Sequence, residues 1–154
     1  MIVEALRNGN GIFIFGNGGS ASDAQHFAAE LTGRFEVSSR KALNCVCLNT
    51  DTSALTAIAN DYGYDEVFRR QLMGLARPGD VAFGISTSGN SRNVEVALGV
   101  EGLKTISLTG NSGGVISGIS DININVGFEN TARIQEAHIF ILHFICSIID
   151  RDLS

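Results

Sequence analysis

The sequence predicts an α/β domain: a parallel sheet covered by helices on both faces. Three observations predict it. Short apolar runs bounded by turn residues recur along the chain; Gly/Ser-rich loops and helical patterns follow them; and no stretch reads as a linker, a second domain or low complexity. Strands that are apolar throughout are buried on both faces, which is the situation in a parallel sheet with helical crossovers. Those crossovers are right-handed.

Taken in order, Ile12–Phe15 is the first strand, flanked by glycines. The loop Gly16-Asn17-Gly18-Gly19-Ser20 follows, then a helix from about 20 to 31 that Ser20 or Ser22 can cap. Leu43–Leu48 is the second strand. Asp51 or Thr52 opens a helix through Asn60, and a further helix covers about 65 to 76. Pro78-Gly79-Asp80 is a turn into the third strand, Val81–Ile85. The loop Ser86-Thr87-Ser88-Gly89-Asn90-Ser91 and a helix come next. Thr105–Thr109 and Ile122–Val126 are the fourth and fifth strands, and a long helix covers about 131 to 152.

At 154 residues the chain has the size of one domain and can bury a core without metals or disulfides. Only 18% of residues are charged, below the usual quarter, so part of the surface is expected to be covered, most simply by copies of itself. A net charge of −5 without a basic patch disfavours nucleic-acid binding. Three cysteines, Cys45, Cys47 and Cys146, read as buried hydrophobes in a reducing compartment. No apolar stretch reaches the roughly 18 residues of a spanning helix, and the start MIVEALRNGNG has no leader pattern. The expectation is a soluble, cytoplasmic protein with no membrane partner.

In an open sheet of this kind ligands bind beyond the carboxyl ends of the strands, where the polar loops fall. Ser86, Thr87, Ser88 and Ser91 put four hydroxyls in six residues between a strand and a helix, a pattern that suits an anion. The loop has no lysine, and neither it nor GNGGS fits a nucleotide fingerprint. A small monophosphate fits better; a plain Ser/Gly turn is the alternative.

His26 and Glu30 stand at i and i+4 on one helix face. Gln135, His138 and His143 lie on the last helix, which is apolar nearly all round and so expected to be buried. Gln135 and His143, eight residues apart, can converge if the pocket is wide. Three arrangements stay open from the residues alone. His26, Glu30 and His143 can hold Zn²⁺; Glu30 and His143 can form an acid/base pair; or a surface His–Glu pair accompanies a satisfied core histidine. Asn60-Asp61 is a polar helix end or a sugar contact, Arg34 a solvated charge or an oxygen contact. Glu136 and His138 read as packing or subunit-contact residues, Cys146 as inert core.

Five segments carry a resemblance: GNGGSASDAQHFAAELTGRF (16–35), LNTDTSALTAIANDYGYDEVF (48–68), GISTSGNSRNV (84–94), SLTGNSGG (107–114) and TARIQEAHIFILHFICSIID (131–150). With these the chain resembles the sugar isomerase (SIS) domain family, and within it the phosphoheptose isomerases. The resemblance implies a three-layer αβα sandwich with a five-stranded parallel sheet of flavodoxin-like order. It implies a homotetramer with active sites at subunit interfaces. It implies interconversion of D-sedoheptulose 7-phosphate and D-glycero-D-manno-heptose 7-phosphate, the first step toward activated heptose for lipopolysaccharide or other surface glycans. Family metal positions fall on His26, Glu30, Gln135 and His143, for one Zn²⁺ per subunit. Glu30 and His143 match the catalytic pair. Asn17, Gly18, Gly19, Asn60, Asp61, Ser86, Thr87, Ser88, Ser91 and Gln135 match substrate contacts.

Three departures are expected to matter. The family's two N-terminal helices are largely absent from a single SIS domain spanning 1–154, since little more than Met1 to Asn8 precedes the first strand. The helix after Ser91 is short. Ala132 stands where some members carry an acidic residue. The alternative reading is a non-catalytic SIS-domain protein that binds the replication initiator or senses a sugar phosphate. That branch shares AQHFAA, LTAIAND and RIQE but lacks the residues matching Glu30 and His143, which this chain keeps.

Overall fold

A computed structural model describes all residues, 1–154. The order is α1 (Ile2–Arg7), β1 (Ile12–Gly16), α2 (Gly19–Thr32), β2 (Cys45–Cys47), α3 (Thr52–Tyr62), α4 (Arg69–Leu75), β3 (Val81–Ser86), α5 (Arg92–Leu98), β4 (Lys104–Gly110), β5 (Ile122–Val126) and α6 (Thr131–Leu153). All neighbouring strands pair in parallel, in the order β2-β1-β3-β4-β5. This is the three-layer, flavodoxin-like arrangement expected.

Alternation along β1 divides the core. Ile12 and Ile14 point to one face, where they meet Ala24, Phe27 and Leu31 of α2 and Leu142, Cys146 and Ile149 of α6. Phe13 and Phe15 point to the other, against Phe68, Leu72, Val94 and Leu98. Edge-to-face packing of Phe27 on Phe83 and the tilted Phe15–Phe68 pair, with ring centroids 5.8 and 5.1 Å apart, anchor the two layers.

Several expectations need correction. The second strand is only Cys45–Cys47, because it is an edge strand that pairs with three residues of β1. Neither Ser20 nor Ser22 caps α2; Gly18, at φ 57°, turns the chain into it. Residues 65–76 do not form one helix: a 3₁₀ turn over Tyr64–Glu66 precedes α4. Asp51 does cap α3, accepting from the Ala54 N–H. The strand–helix alternation fails between β4 and β5, where only a 3₁₀ turn (Val115–Gly118) intervenes. That end of the sheet has a polar face instead. Asn123 donates to Ser107 Oγ and Thr109 Oγ1 at 2.7 and 2.9 Å, and Thr109 donates to Asn125.

Contrary to the expectation that no apolar stretch reaches spanning length, helix α6 is apolar enough and, at 23 residues, long enough to cross a membrane by composition alone. Here it is a sheet-covering helix, with Ile134, Leu142, Cys146 and Ile149 buried. It is not buried all round. Phe140 is 71% exposed and Phe144 60%, because the single chain covers only the face that meets the sheet, α1 and α2.

Candidate active site

The strand order reverses between β1 and β3, so the carboxyl ends of these two strands open a crevice. Asn17 leaves β1 there. Its amide pairs reciprocally with Asn93 at 2.8 and 2.9 Å, and its Oδ1 also accepts from the Tyr64 hydroxyl at 3.0 Å. Asn49 clamps the end of β1, accepting from Gly16 N–H and donating to Gly16 C=O. Tyr64, Asn93 and Asn49 escape a sequence reading because each acts through the fold, from a different segment.

The loop after β3 gathers its hydroxyls. Ser86 Oγ lies 2.9 Å from Ser91 Oγ and 3.4 Å from Ser88 Oγ, and accepts from the Gly89 N–H. A second loop, at 110–116, props it. Asn111 donates to Thr87 C=O, Val115 N–H to Asn90 Oδ1, and Ile116 N–H to Gly89 C=O. Gly89, at φ 68°, is where the two backbones touch: a Cβ there would collide with the Gly113 carbonyl. Helix α5, which follows this loop, has only seven residues.

Helices α2 and α6 lie side by side and run in the same direction, as Gly19 meets Gln135 and His26 meets His143. His26 Nε2 faces His143 Nε2 at 2.8 Å, and Glu30 Oε1 is 3.4 Å from His26 Nε2. Phe35 stacks on the His143 ring, centroids 5.6 Å apart at 28°. The cluster is half open to solvent, with His26 46% and Glu30 24% exposed. Asp23, one turn before His26, has a buried Oδ2 without a hydrogen-bond partner. Burial pushes its carboxyl up and the nearby His26 pulls it down. The i, i+3 spacing of Asp23 to His26 was the available sequence signal.

Gln135 does not join the three. It packs over Gly19, where any side chain would collide with it. At ~1.5 Å rise per residue it sits about 12 Å from His143 along α6. Convergence in one wide pocket therefore does not occur within a single chain. His26, Glu30 and His143 fit zinc in donor chemistry, two imidazole nitrogens and a carboxylate, although as placed they do not close on one point. Asn60 and Asp61 lie exposed in the last turn of α3, and Asn60 donates to Asp61 at 2.8 Å. Arg34 is exposed, and its guanidinium reaches only the Phe35 carbonyl. His138 is buried with Nε2 3.1 Å from Thr109 C=O, as a packing residue should be; burial pushes its pKa down, partly opposed by that hydrogen bond. The Cys146 thiol is buried and pushed up to about 12, first by burial and then by the Glu30 and Asp150 charges.

Half-open concavities lie at both ends of the sheet, one of them lined by Asn111, Ser112, Gly127 and Glu129 beyond the carboxyl ends of β4 and β5. Another of about 400 Å³, lined by Arg69, Met73, Arg77 and Leu103, sits at the amino end of the sheet, away from the strand ends that carry these groups. The crevice itself is an open surface in the single chain.

A doubly wound parallel sheet with a hydroxyl-rich loop at its switch point, and a His–His–Glu cluster farther along α2 and α6, defines an α/β domain of the doubly wound class. The family model "SIS domain" matches residues 1–110. The phosphoheptose isomerase of Aliarcobacter butzleri (strain RM4018) is 59% identical over 155 residues, spanning 99% of this chain and 82% of the relative. The structures of phosphoheptose isomerase GmhA from Neisseria gonorrhoeae and of a phosphoheptose isomerase from Francisella tularensis superpose with TM-scores of 0.91 and 0.92. They are 49% and 37% identical, and each match covers 97% of this chain and 81% of the other. The chain belongs to the SIS domain family and, within it, to the phosphoheptose isomerases.

Proposed function

We propose that the chain is an aldose–ketose isomerase that interconverts D-sedoheptulose 7-phosphate and D-glycero-D-manno-heptose 7-phosphate. The observation that carries the reading is the run of contacts from Glu30 to His26 and from His26 to His143 at the α2–α6 seam, in a chain 59% identical to a phosphoheptose isomerase. The phosphate is held by the hydroxyls of Ser86, Thr87, Ser88 and Ser91, and this remote binding energy positions the reacting carbons. Asn17, Gly18, Gly19, Asn60 and Asp61 contact the sugar. Glu30 takes a proton from one of C1 and C2 and returns it to the other through a cis-enediol, and His143 exchanges protons with the sugar oxygens.

His26, Glu30 and His143 would hold Zn²⁺, with Gln135 completing the set. When bound, the ion would polarise the sugar carbonyl. The distance of Gln135 from the other three supports assembly of the full set between two copies of the chain. The exposed Phe140 and Phe144, and an α3 without a single buried residue, support the same view. The assembly we propose is a homotetramer of single SIS domains in the cytoplasm, supplying heptose for surface glycans.

The test is Glu30→Gln, which keeps size and hydrogen bonding but removes the base. Turnover should fall about 10²- to 10⁴-fold, the usual worth of a general base, with binding of sedoheptulose 7-phosphate retained by calorimetry. Full turnover in the variant would refute the assignment; a chain that binds the sugar phosphate and never turns it over would be a sensor.

A further inference from the structure

The stretch between α2 and β2, residues 33–44, contains no helix or strand, yet one side chain in it is fully buried. Arg40 has no exposed side-chain surface, and its partner Asp150 on α6 is 2% exposed. All three guanidinium nitrogens donate. Nε donates to Asp150 Oδ1, Nη2 to the Glu30 carbonyl at 2.7 Å, and Nη1 to the carbonyls of Leu31 and Lys41 at 3.0 and 2.7 Å. The last carbonyls of a helix lack intrahelical partners, and a cation there also meets the negative end of the helix dipole. Arg40 thus caps the α2 terminus through the backbone of Glu30 itself.

Asp150 does the matching work on the other side. Its Oδ2 accepts from Glu36 and Val37 N–H at 2.8 and 2.9 Å. Burial pushes this carboxyl up, but those two N–H groups and the guanidinium outweigh it and hold it below the usual range. Pinning Glu36 and Val37 fixes the preceding residue, Phe35, which stacks on His143. Asp150 stands seven residues after His143, two turns along α6 on nearly the same face. Buried pairs of this kind often add little stability over apolar side chains of the same volume, so stability alone is a weak reason for one here.

We propose that Arg40 and Asp150 are positioning residues for the isomerisation: together they fix Glu30, through its own carbonyl, and the His143 ring, through Phe35, in one geometry. The inference rests on the functional reading above, in which Glu30 and His143 act on the sugar. None of the pair's hydrogen bonds runs to the hydroxyl loop of β3, so substrate affinity is separable from it.

The experiment compares Arg40→Lys, which keeps the charge but loses the fork, with Asp150→Asn, which keeps size and acceptors for Glu36 and Val37. Kinetics are read well below each variant's melting temperature, as kcat per folded molecule. Small displacements of catalytic groups cost about 10²-fold in favourable cases. The expected result is a kcat 10- to 100-fold lower in both, KM within about two-fold, and shifted imidazole ¹⁵N signals for His143 but not for His138. Unchanged kcat in either folded variant, or kcat and KM changing together, overturns the proposal. Glu30→Gln, run alongside, separates the two ideas. Full turnover there overturns the functional reading and the pair with it; lost turnover there, with Arg40→Lys and Asp150→Asn at wild-type kcat, overturns the pair alone.

Discussion

Replacing Gly89 by alanine should damage stability and phosphate affinity together. Gly89 sits at φ 68°, a conformation that costs a residue with a Cβ about 1–2 kcal/mol. The added methyl would also meet the Gly113 carbonyl and the Gly114 nitrogen, which are backbone and have no rotamer to swing away. The loop must therefore move off its support. Two hydrogen bonds then go, Ile116 N–H to Gly89 C=O and Val115 N–H to Asn90 Oδ1, at roughly 1 kcal/mol each. The sum is about 3–4 kcal/mol, a large share of a typical ~5–15 kcal/mol. At about 2–4 °C per kcal/mol for a chain near this size, the melting temperature should drop by roughly 10 °C. A displaced Ser86–Ser91 loop also loses a hydrogen bond to a charged group, worth about 1.5–3 kcal/mol, so KM should rise roughly 10- to 100-fold. Circular dichroism melts and initial-rate kinetics read both effects. Gly118→Ala is the control, because a Cβ there meets nothing within 4 Å. A Gly89→Ala protein with wild-type melting temperature and KM would refute the reasoning.

Other consequences can be checked separately. Burial lowers the pKa of His138, so the unfolded chain takes up its proton first as pH falls. Stability is therefore greatest above ~6.5, the unfolded value, and declines as pH drops below it; urea midpoints at pH 7.5 and 5.5 should differ less in His138→Gln than in the wild type. Burial raises the thiols of Cys45 and Cys146, the latter to about 12, so neither should react with a disulfide reagent at pH 8 until the protein unfolds; rapid titration of more than one thiol in the native state would contradict this. Phe144→Glu places a charge on the exposed stripe of α6 and should shift the light-scattering mass from tetramer toward smaller species, while a monomeric wild type at micromolar concentration would sink the assembly.

The sheet was legible because its central strands are apolar on both sides: IFIF and VAFGI, bounded by turn residues, read as strands buried between two layers, whereas the edge strand is shorter than the run LNCVCL that holds it. The polar face of β4 and β5 was harder to see. Ser107, Thr109, Asn123 and Asn125 satisfy one another across strands, and that pairing exists only once the register is set. The spacing of His26 and Glu30 is local, so one helix turn reveals it. The approach of His143 depends on the parallel packing of α6 along α2, and the sequence places it only through the family resemblance. Gln135 shows the limit of helix-wheel reasoning: the angle allowed convergence with His143, but the axial rise did not. Arg40 and Asp150 are 110 residues apart, and no local pattern marks either as buried.

The proposed reaction moves a proton between C1 and C2 of a heptose phosphate, using Glu30. The most direct measurement is an NMR time course of sedoheptulose 7-phosphate with the purified protein, with and without added Zn²⁺, beside Glu30→Gln. With the wild type an aldose heptose 7-phosphate signal should grow, with deuterium entering at C2 in D₂O, and neither should occur with Glu30→Gln. A folded, assembled wild-type protein that binds the sugar phosphate and produces no aldose under either condition would contradict the proposed reaction.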